Sequence, residues 1–285
     1  MGNDSDHDHF VTPRPEALRK EVHDALGAAE LLAAQLWTAD YARFSTGGST
    51  HANQAIVLAL GQPGDKVAVA RTAHRSVLSA LVLAGLEPIW LTPEIDAATG
   101  VPTGITLAEL HKALLHKPIA VLLTEPGYLG TLSDLPPLIA AAHAQETPVV
   151  VDAAWGGHFG FHPLLPRHAL QLGADALITS IHKALPGYSA SAILLARTAL
   201  LRQERLEQSF ETTHTTSPAG APLASIDGVR ALMQCRGHEL MARLLENVER
   251  FKARVQSHFL APIFLGAGDF AAGRFDPAKL VRPHP

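Results

Sequence analysis

Lys183 closes the run ALITSIHK, directly after His182 and three residues after Ser180, where apolar sequence gives way to ALPGYSAS. A lysine at the end of a buried strand loses hydration or meets another cation, which lowers its pKa and frees its amine to form an imine with an aldehyde. Read alone, the same residue is an ordinary solvated lysine. Asp152 ends TPVVVDA, the most apolar strand-like run in the chain. A carboxylate there must meet a cation or hydrogen-bond donors, since burial without either is costly or forces protonation. A helix or turn cap is its structural alternative. FSTGGST, at 44–50, is a glycine-rich turn that opens straight into HANQAIVLAL. Free backbone N–H groups and the positive end of a helix dipole make such a turn around Gly48 a seat for phosphate, with Ser49 and Thr50 as added donors. It is equally a helix start with hydroxyl caps. The chain has no GxxxxGKS, which argues against a nucleotide P-loop.

Taken together, a phosphate turn, a buried acid and a lysine flanked by Ser180 and His182 match the needs of pyridoxal phosphate. Its phosphate needs a turn rich in donors, its ring nitrogen a carboxylate that keeps it protonated as an electron sink, and its aldehyde an amine. Trp155, in DAAWGG, is either packing or a partner for such a ring, and His74, in RTAHRSV, is either a helix-start histidine or a ring contact. His158 and His162 share the i,i+4 spacing of a metal pair. No Glu follows His158, however, and Gly160 and Pro163 oppose a helix there, so no metal site is expected.

An alternating pattern must hold these residues. Apolar residues at helical spacing over 15–37, behind the start signals Thr12 and Pro13, predict a first helix. Helices at 50–60, 74–84, 107–115 and 135–144 then alternate with the strands KVAVA, EPIWL, PIAVLLT and TPVVVDA. ADALITS and SAILLA read as two further strands with the lysine between them. A helix follows Ala199, then the polar stretch ETTHTTSPAG, and a long helix is predicted over 237–258. Short runs rich in Val, Ile and Leu, separated by helices, imply an α/β fold whose mostly parallel central sheet is covered by helices on both faces. Open parallel sheets bind ligands at the carboxyl ends of their strands, and Asp152 and Lys183 stand there.

The chain has 285 residues, 47% of them apolar and 18% charged, enough to bury a full core. A net charge of −4 and a pI near 6.5, with Lys and Arg scattered, leave no footprint for nucleic acid. The lone Cys235, in ALMQCRGHEL, cannot form an internal disulfide; it is expected to be a small buried helix residue in a reducing compartment. MGNDSDHDHF lacks the basic and apolar segments of a signal peptide, and Asp6 stands where a myristoylation motif has Ser or Thr. LGAAELLAAQLW is interrupted by Glu30 and falls short of the ~20 residues of a membrane span. A soluble cytoplasmic protein without nucleic-acid or membrane partners is expected.

The ordered series FSTGGSTHANQ, RTAHRSV, EPGYLGT, VDAAWGGHFGFHPLLP and SIHKALPG resembles the pyridoxal-phosphate domain of the ornithine/lysine/arginine decarboxylase family. HTTSPAGAPLASID continues the resemblance, and GDFAAGRFDPAKLV is similar to the end of that family's large domain, so it covers roughly residues 15–281. It implies a fold type I, aspartate aminotransferase-like major domain. It also implies that Lys183 carries the cofactor as an aldimine, that Asp152 pairs with the pyridinium nitrogen, and that Ser49, Thr50, Ser180 and His182 surround the phosphate. His74 would stack on the ring face opposite the lysine, and Trp155 would approach the ring hydroxyl. Thr216 and Ser217 would reach the neighbouring subunit's cofactor, making a homodimer with shared active sites. By the same resemblance, residues 1–14 are a polar flexible tail, 15–235 the cofactor-binding domain, and 236–285 a C-terminal helix with the remnant of a connection to a smaller domain.

The pattern also departs from the family. The glycine-histidine-lysine segment that usually precedes the first helix and the smaller C-terminal domain are missing, Ala153 stands where many relatives have Glu, and Gly127 and Leu129 open space in EPGYLGT. The expected activity is decarboxylation of an amino acid, most plausibly a basic one. The alternatives are another reaction type (aldolase, lyase or transaminase) or a cofactor-binding chain that works only with a partner.

Overall fold

The short β-branched runs assemble into one seven-stranded sheet in the computed structural model, which describes residues 15–258, 264–270 and 274–282; the tail expected at 1–14 lies outside them. The strands are β1 (Tyr41–Ser45), β2 (Lys66–Ala70), β3 (Glu87–Leu91), β4 (Val121–Thr124), β5 (Val149–Asp152), β6 (Ala176–Ser180) and β7 (Ala192–Ala196), in the order β1-β7-β6-β5-β4-β2-β3. β7 runs antiparallel to both β1 and β6, and all other pairs are parallel. Register aligns Thr124 with Asp152 and Asp152 with Ile178, and sets both Ser180 and Ser45 opposite Ala192. One edge of the sheet therefore gathers the ends of β1, β4, β5 and β6 and the start of β7.

The helices are α1 (Pro15–Leu36), α2 (Gly48–Leu60), α3 (Arg75–Ala84), α4 (Leu107–Leu114), α5 (Leu135–His143), α6 (Gln203–Thr213) and α7 (Gly220–Gln256). The period-two alternation of the strands sends Val149 and Val151 into a core with α1, α4, α5 and α7, and Val150 into a second core with α2, α3 and α6. Both faces are covered, which is why the central strands read as continuous apolar runs. Local signals set the helix ends. Thr106 caps α4 by accepting from the Glu109 N–H at 3.2 Å, and Gly85 ends α3 in the left-handed region, donating to the carbonyls of Leu81 and Val82.

Four expectations need correction. EPIWL forms β3, but as an edge strand with Glu87, Pro88 and Trp90 exposed rather than a buried one. YARFS, not predicted as a strand, forms β1; Arg43 breaks its apolar run, and pairing with Glu30, Glu207 and Glu211 makes that charge tolerable. The last helix begins at Gly220 rather than 237. Pro222 reads as a breaker, yet a first-turn proline is harmless because its missing N–H has no intrahelical acceptor. Cys235 is exposed, because α7 turns the flanking Met233 and Gly237 inward and Cys235 to the opposite side.

Phe210 on α6 is fully buried, with its ring 4.6 Å from that of His51 on α2. Phe210→Ala should lower the unfolding free energy by about 3–5 kcal/mol, read from urea denaturation.

Candidate active site

The first turn of α2 supplies one side of the site. Gly48 sits at φ +68, a left-handed conformation that favours glycine, and lets the chain turn from β1 into the helix. Among the described residues, no hydrogen bond is found for the amide N–H of Gly48, Ser49 or Thr50. The Ser49 hydroxyl is 2.7 Å from that of Ser180, at the end of β6. His182 donates from Nδ1 to the Ser191 carbonyl at 2.9 Å, since a carbonyl can only accept, and Nε2 is left as the ring's free nitrogen. Three amides, two hydroxyls and an imidazole thus converge where the α2 dipole is positive, the chemistry of an anion seat.

Asp152, buried at the end of β5, lies across the cavity. Its Oδ2 accepts from Asn53 Nδ2 at 2.8 Å and its Oδ1 from the Ala154 N–H at 3.1 Å. Burial drives its pKa above the ordinary carboxyl range; the two hydrogen bonds and the charges of Lys183 and His74 work against that rise. Asn53 Nδ2 also donates to Ser76 Oγ at 3.0 Å, and Ser76 Oγ lies 2.8 Å from His74 Nδ1. That nitrogen accepts from the Ser76 N–H at 3.2 Å as the cap of α3. The polarity of the chain follows: Nδ1 of His74 is bare, and its Nε2 carries the proton when the ring is neutral.

Lys183 follows β6, and its Nζ lies 4.8 Å from the Trp155 ring centroid. Trp155 meets Tyr128 edge to face at 6.0 Å. A cavity of about 410 Å³ is lined by Gly48, Ser49, Thr50, His74, Asp152, Trp155, Ser180, His182 and Lys183. Nine of the eleven residues singled out by sequence therefore come together. Thr216 and Ser217 do not: both are exposed, and Thr216 borders a different recess beside Arg43 and His214.

Sequence reading missed Asn53 and Ser76. Asn53 had a usable signal, as an amide four residues after Ser49 and so on the same face of the helix. Ser76 lacked one, because a serine in a first turn reads as a cap. His158 forms no part of a metal pair: its Nε2 is 3.1 Å from Asp276 Oδ1, with both side chains under 5% exposed, while His162 meets His238 at 4.7 Å between rings. Among the described residues no cluster of His, Cys, Asp and Glu could hold a metal ion, and no helix is long and apolar enough to cross a membrane.

The sheet order, with its single reversed strand and its site at the carboxyl edge, defines the class as a fold type I major domain. Lysine decarboxylase A from Pseudomonas aeruginosa shares this fold with a TM-score of 0.74 at 22% identity, over 89% of this chain and 38% of that one. Serine palmitoyltransferase from Sphingomonas wittichii does so at 0.64 and 15%, over 82% and 57%. Within that class the chain belongs to the Orn/Lys/Arg decarboxylase family, whose major domain matches residues 20–267. It is 34% identical to arginine decarboxylase of Bacillus subtilis over 273 residues, 94% of this chain and 54% of that protein. The chain spans about half the length of the curated relatives it matches.

Glu125 borders a neighbouring recess that shares Thr72, Thr124 and Tyr128 with the cavity. It is 6% exposed, both its oxygens accept from the Ser133 N–H, and burial raises its pKa from 4.5 to about 7. Between those two values the folded state holds a proton that the unfolded chain has lost, so stability falls as pH rises through this window. Glu125→Gln should shrink the difference in unfolding free energy between pH 5 and pH 8; an unchanged difference would show that Glu125 does not titrate there.

Proposed function

We propose that this chain binds pyridoxal phosphate and that the enzyme it belongs to decarboxylates a basic amino acid such as arginine, lysine or ornithine. The carrying observation is the meeting of Lys183, Asp152 and the first turn of α2 on one cavity. The residues present fit that cofactor. Among the described residues the amides of Gly48, Ser49 and Thr50 have no partner and the Lys183 ammonium no ion pair, and Asp152 is a buried acid whose pKa burial raises, so a cation on a ligand would stabilise its charge. When bound, pyridoxal phosphate supplies an electron sink for the pair left behind when a carboxylate departs.

The chain's own residues do the rest. Gly48, Ser49, Thr50, Ser180 and His182 bind the phosphate end with directed donors. Asp152, held by Asn53 and Ala154, keeps a proton at the ring nitrogen, where the ion pair also relieves the carboxylate's burial. His74 is fixed by Ser76 with its protonated Nε2 free to donate. Lys183 Nζ is the amine, beside the Trp155 ring.

Thr216 and Ser217, exposed and away from their own cavity, fit a homodimer in which they complete the neighbouring site. The chain is assigned to the cytoplasm, in keeping with its single cysteine. The division at residue 235 stands as part of this reading, with α7 as the element that joins its two parts.

Protein purified with pyridoxal phosphate should show the cofactor's visible band, and borohydride reduction should map the cofactor to Lys183. Lys183→Ala should abolish both the band and CO₂ release from arginine, lysine or ornithine. Asp152→Asn should keep the band and lower the rate roughly 10²–10³-fold, the range for removing one preorganised charge. A mapped Lys183 without CO₂ release from any of the three would shift the reading to an aldolase, lyase or transaminase, or to a chain that needs a partner.

A further inference from the structure

Two ammonium groups meet at one indole. Lys279 Nζ is 4.0 Å from the Trp155 centroid, which Lys183 Nζ approaches to 4.8 Å, and 5.6 Å from that of Tyr128. Among the described residues neither ammonium has an ion pair or a hydrogen bond. Asp276, the carboxylate nearest in sequence to Lys279, is occupied by His158. Asp276 and Asp152 act on Lys279 and Lys183 from a distance without pairing with them, so an anion that pairs with the ammonium groups directly would relieve their mutual repulsion.

The position is built rather than incidental. Asp276 Oδ1 takes both His158 Nε2 at 3.1 Å and the Ala278 N–H at 3.0 Å. The Asp276 N–H donates to the Gly130 carbonyl at 2.8 Å, and the Lys279 N–H to the Asp276 carbonyl at 3.0 Å. Gly130 is at φ +92, and a Cβ there would come to 3.0 Å from Lys279 Cγ, so a side chain would crowd the lysine stem where it lies across this loop. Burial, and then the charge of Lys183, hold the Lys279 pKa below the ordinary lysine value, with Asp276 opposing. Lys279 also lies beyond the segment matched to the family's major domain.

We propose that Lys279 is an anion-binding residue of the active site, placed to hold the carboxylate of an incoming amino acid beside Trp155. The assignment rests on the amino-acid reading given above. An amino acid that brings its amine to Lys183 carries its carboxylate one carbon away, and a second cation over the same ring faces that group. The indole holds both ammonium groups by cation–π attraction without neutralising either, which leaves Lys279 free to pair with the ligand.

The test uses the cofactor-loaded protein and two aminooxy reagents that alter the cofactor's visible band without turnover. Aminooxyacetate carries a carboxylate; methoxyamine does not. Lys279→Met keeps a stem on Gly130 and removes the charge. It should slow the spectral reaction of aminooxyacetate roughly ten- to hundredfold, the range for losing one charged hydrogen bond, and leave methoxyamine within twofold. Lys279→Arg should restore most of the difference. Equal slowing with both reagents, or no slowing with either, overturns the assignment. Wild-type protein whose band responds to neither reagent overturns the cofactor reading as well.

Discussion

A carboxyl group buried at the end of β5 sets the requirement that the rest of the site answers. Asp152 has two hydrogen-bond donors and no ion pair among the described residues, so burial wins and its pKa rises. Replacing it by an apolar residue would leave the Asn53 amide and the Ala154 N–H without this acceptor. Here it faces a cavity, where a cation on a ligand can supply what the protein withholds. The single amide of Asn53 ties this requirement to the opposite wall: it donates to Asp152 and, through Ser76, sets the imidazole of His74. Asn53 stands one turn beyond the anion seat on α2, so the same helix orients both the acid and the phosphate end.

That helix is in turn held by β1 and α6. Ser45 at the end of β1 accepts the Gly47 N–H at 3.2 Å and lies 2.8 Å from His51 Nδ1, while His51 Nε2 reaches the Phe210 carbonyl at 3.2 Å. The Ser45 hydroxyl also donates to the Gly48 carbonyl at 3.1 Å, and Thr213 Oγ1 lies 3.1 Å from His51 Nε2. Burial lowers the His51 pKa to about 4, so the ring stays neutral and keeps this pattern at neutral pH. Arg43, two strand positions before Ser45, lies over the Phe210 ring and draws in Glu30, Glu207 and Glu211. The glycine turn is free to present its amides because its neighbours, not the turn itself, satisfy the rest of the backbone.

The parallel sheet, its covering helices and most of the cavity's chemistry were legible in the sequence because they depend on short-range pattern. A run such as VVVD ends in an acid, and a GGST turn opens a helix, whatever the rest of the chain does. What was not legible depends on distant partners. Arg43 disguised β1 until three glutamates were in place, and Asn53 and Ser76 acquire meaning only when Asp152 and His74 lie beside them. His158 gave a false hint of a metal because its true partner, Asp276, is more than a hundred residues away. The stretch from Gly220 to Arg236 at the start of α7 was not read as helix, although Pro222 falls in the first turn, where a proline is tolerated.

The pairing of His158 with Asp276 also explains how the far end of the chain takes part in a site made by its middle. A buried histidine and a buried aspartate satisfy each other only if the segment from Phe275 to Lys279 is seated against the loop at Gly130, so loss of either partner leaves the other desolvated and unpaired. Seating that segment stacks Phe275 on Phe270 and brings Lys279 onto Trp155. The segment that carries Lys279 is thus held by this buried pair together with the bridge of Thr131 to Phe275 and the Arg274–Asp134 ion pair, while the anion seat and the acid belong to the sheet edge itself. These two supports share few residues. A change that loosens the C-terminal segment should therefore alter how ligands meet the mouth of the cavity while leaving the sheet, Asp152 and the α2 turn in place.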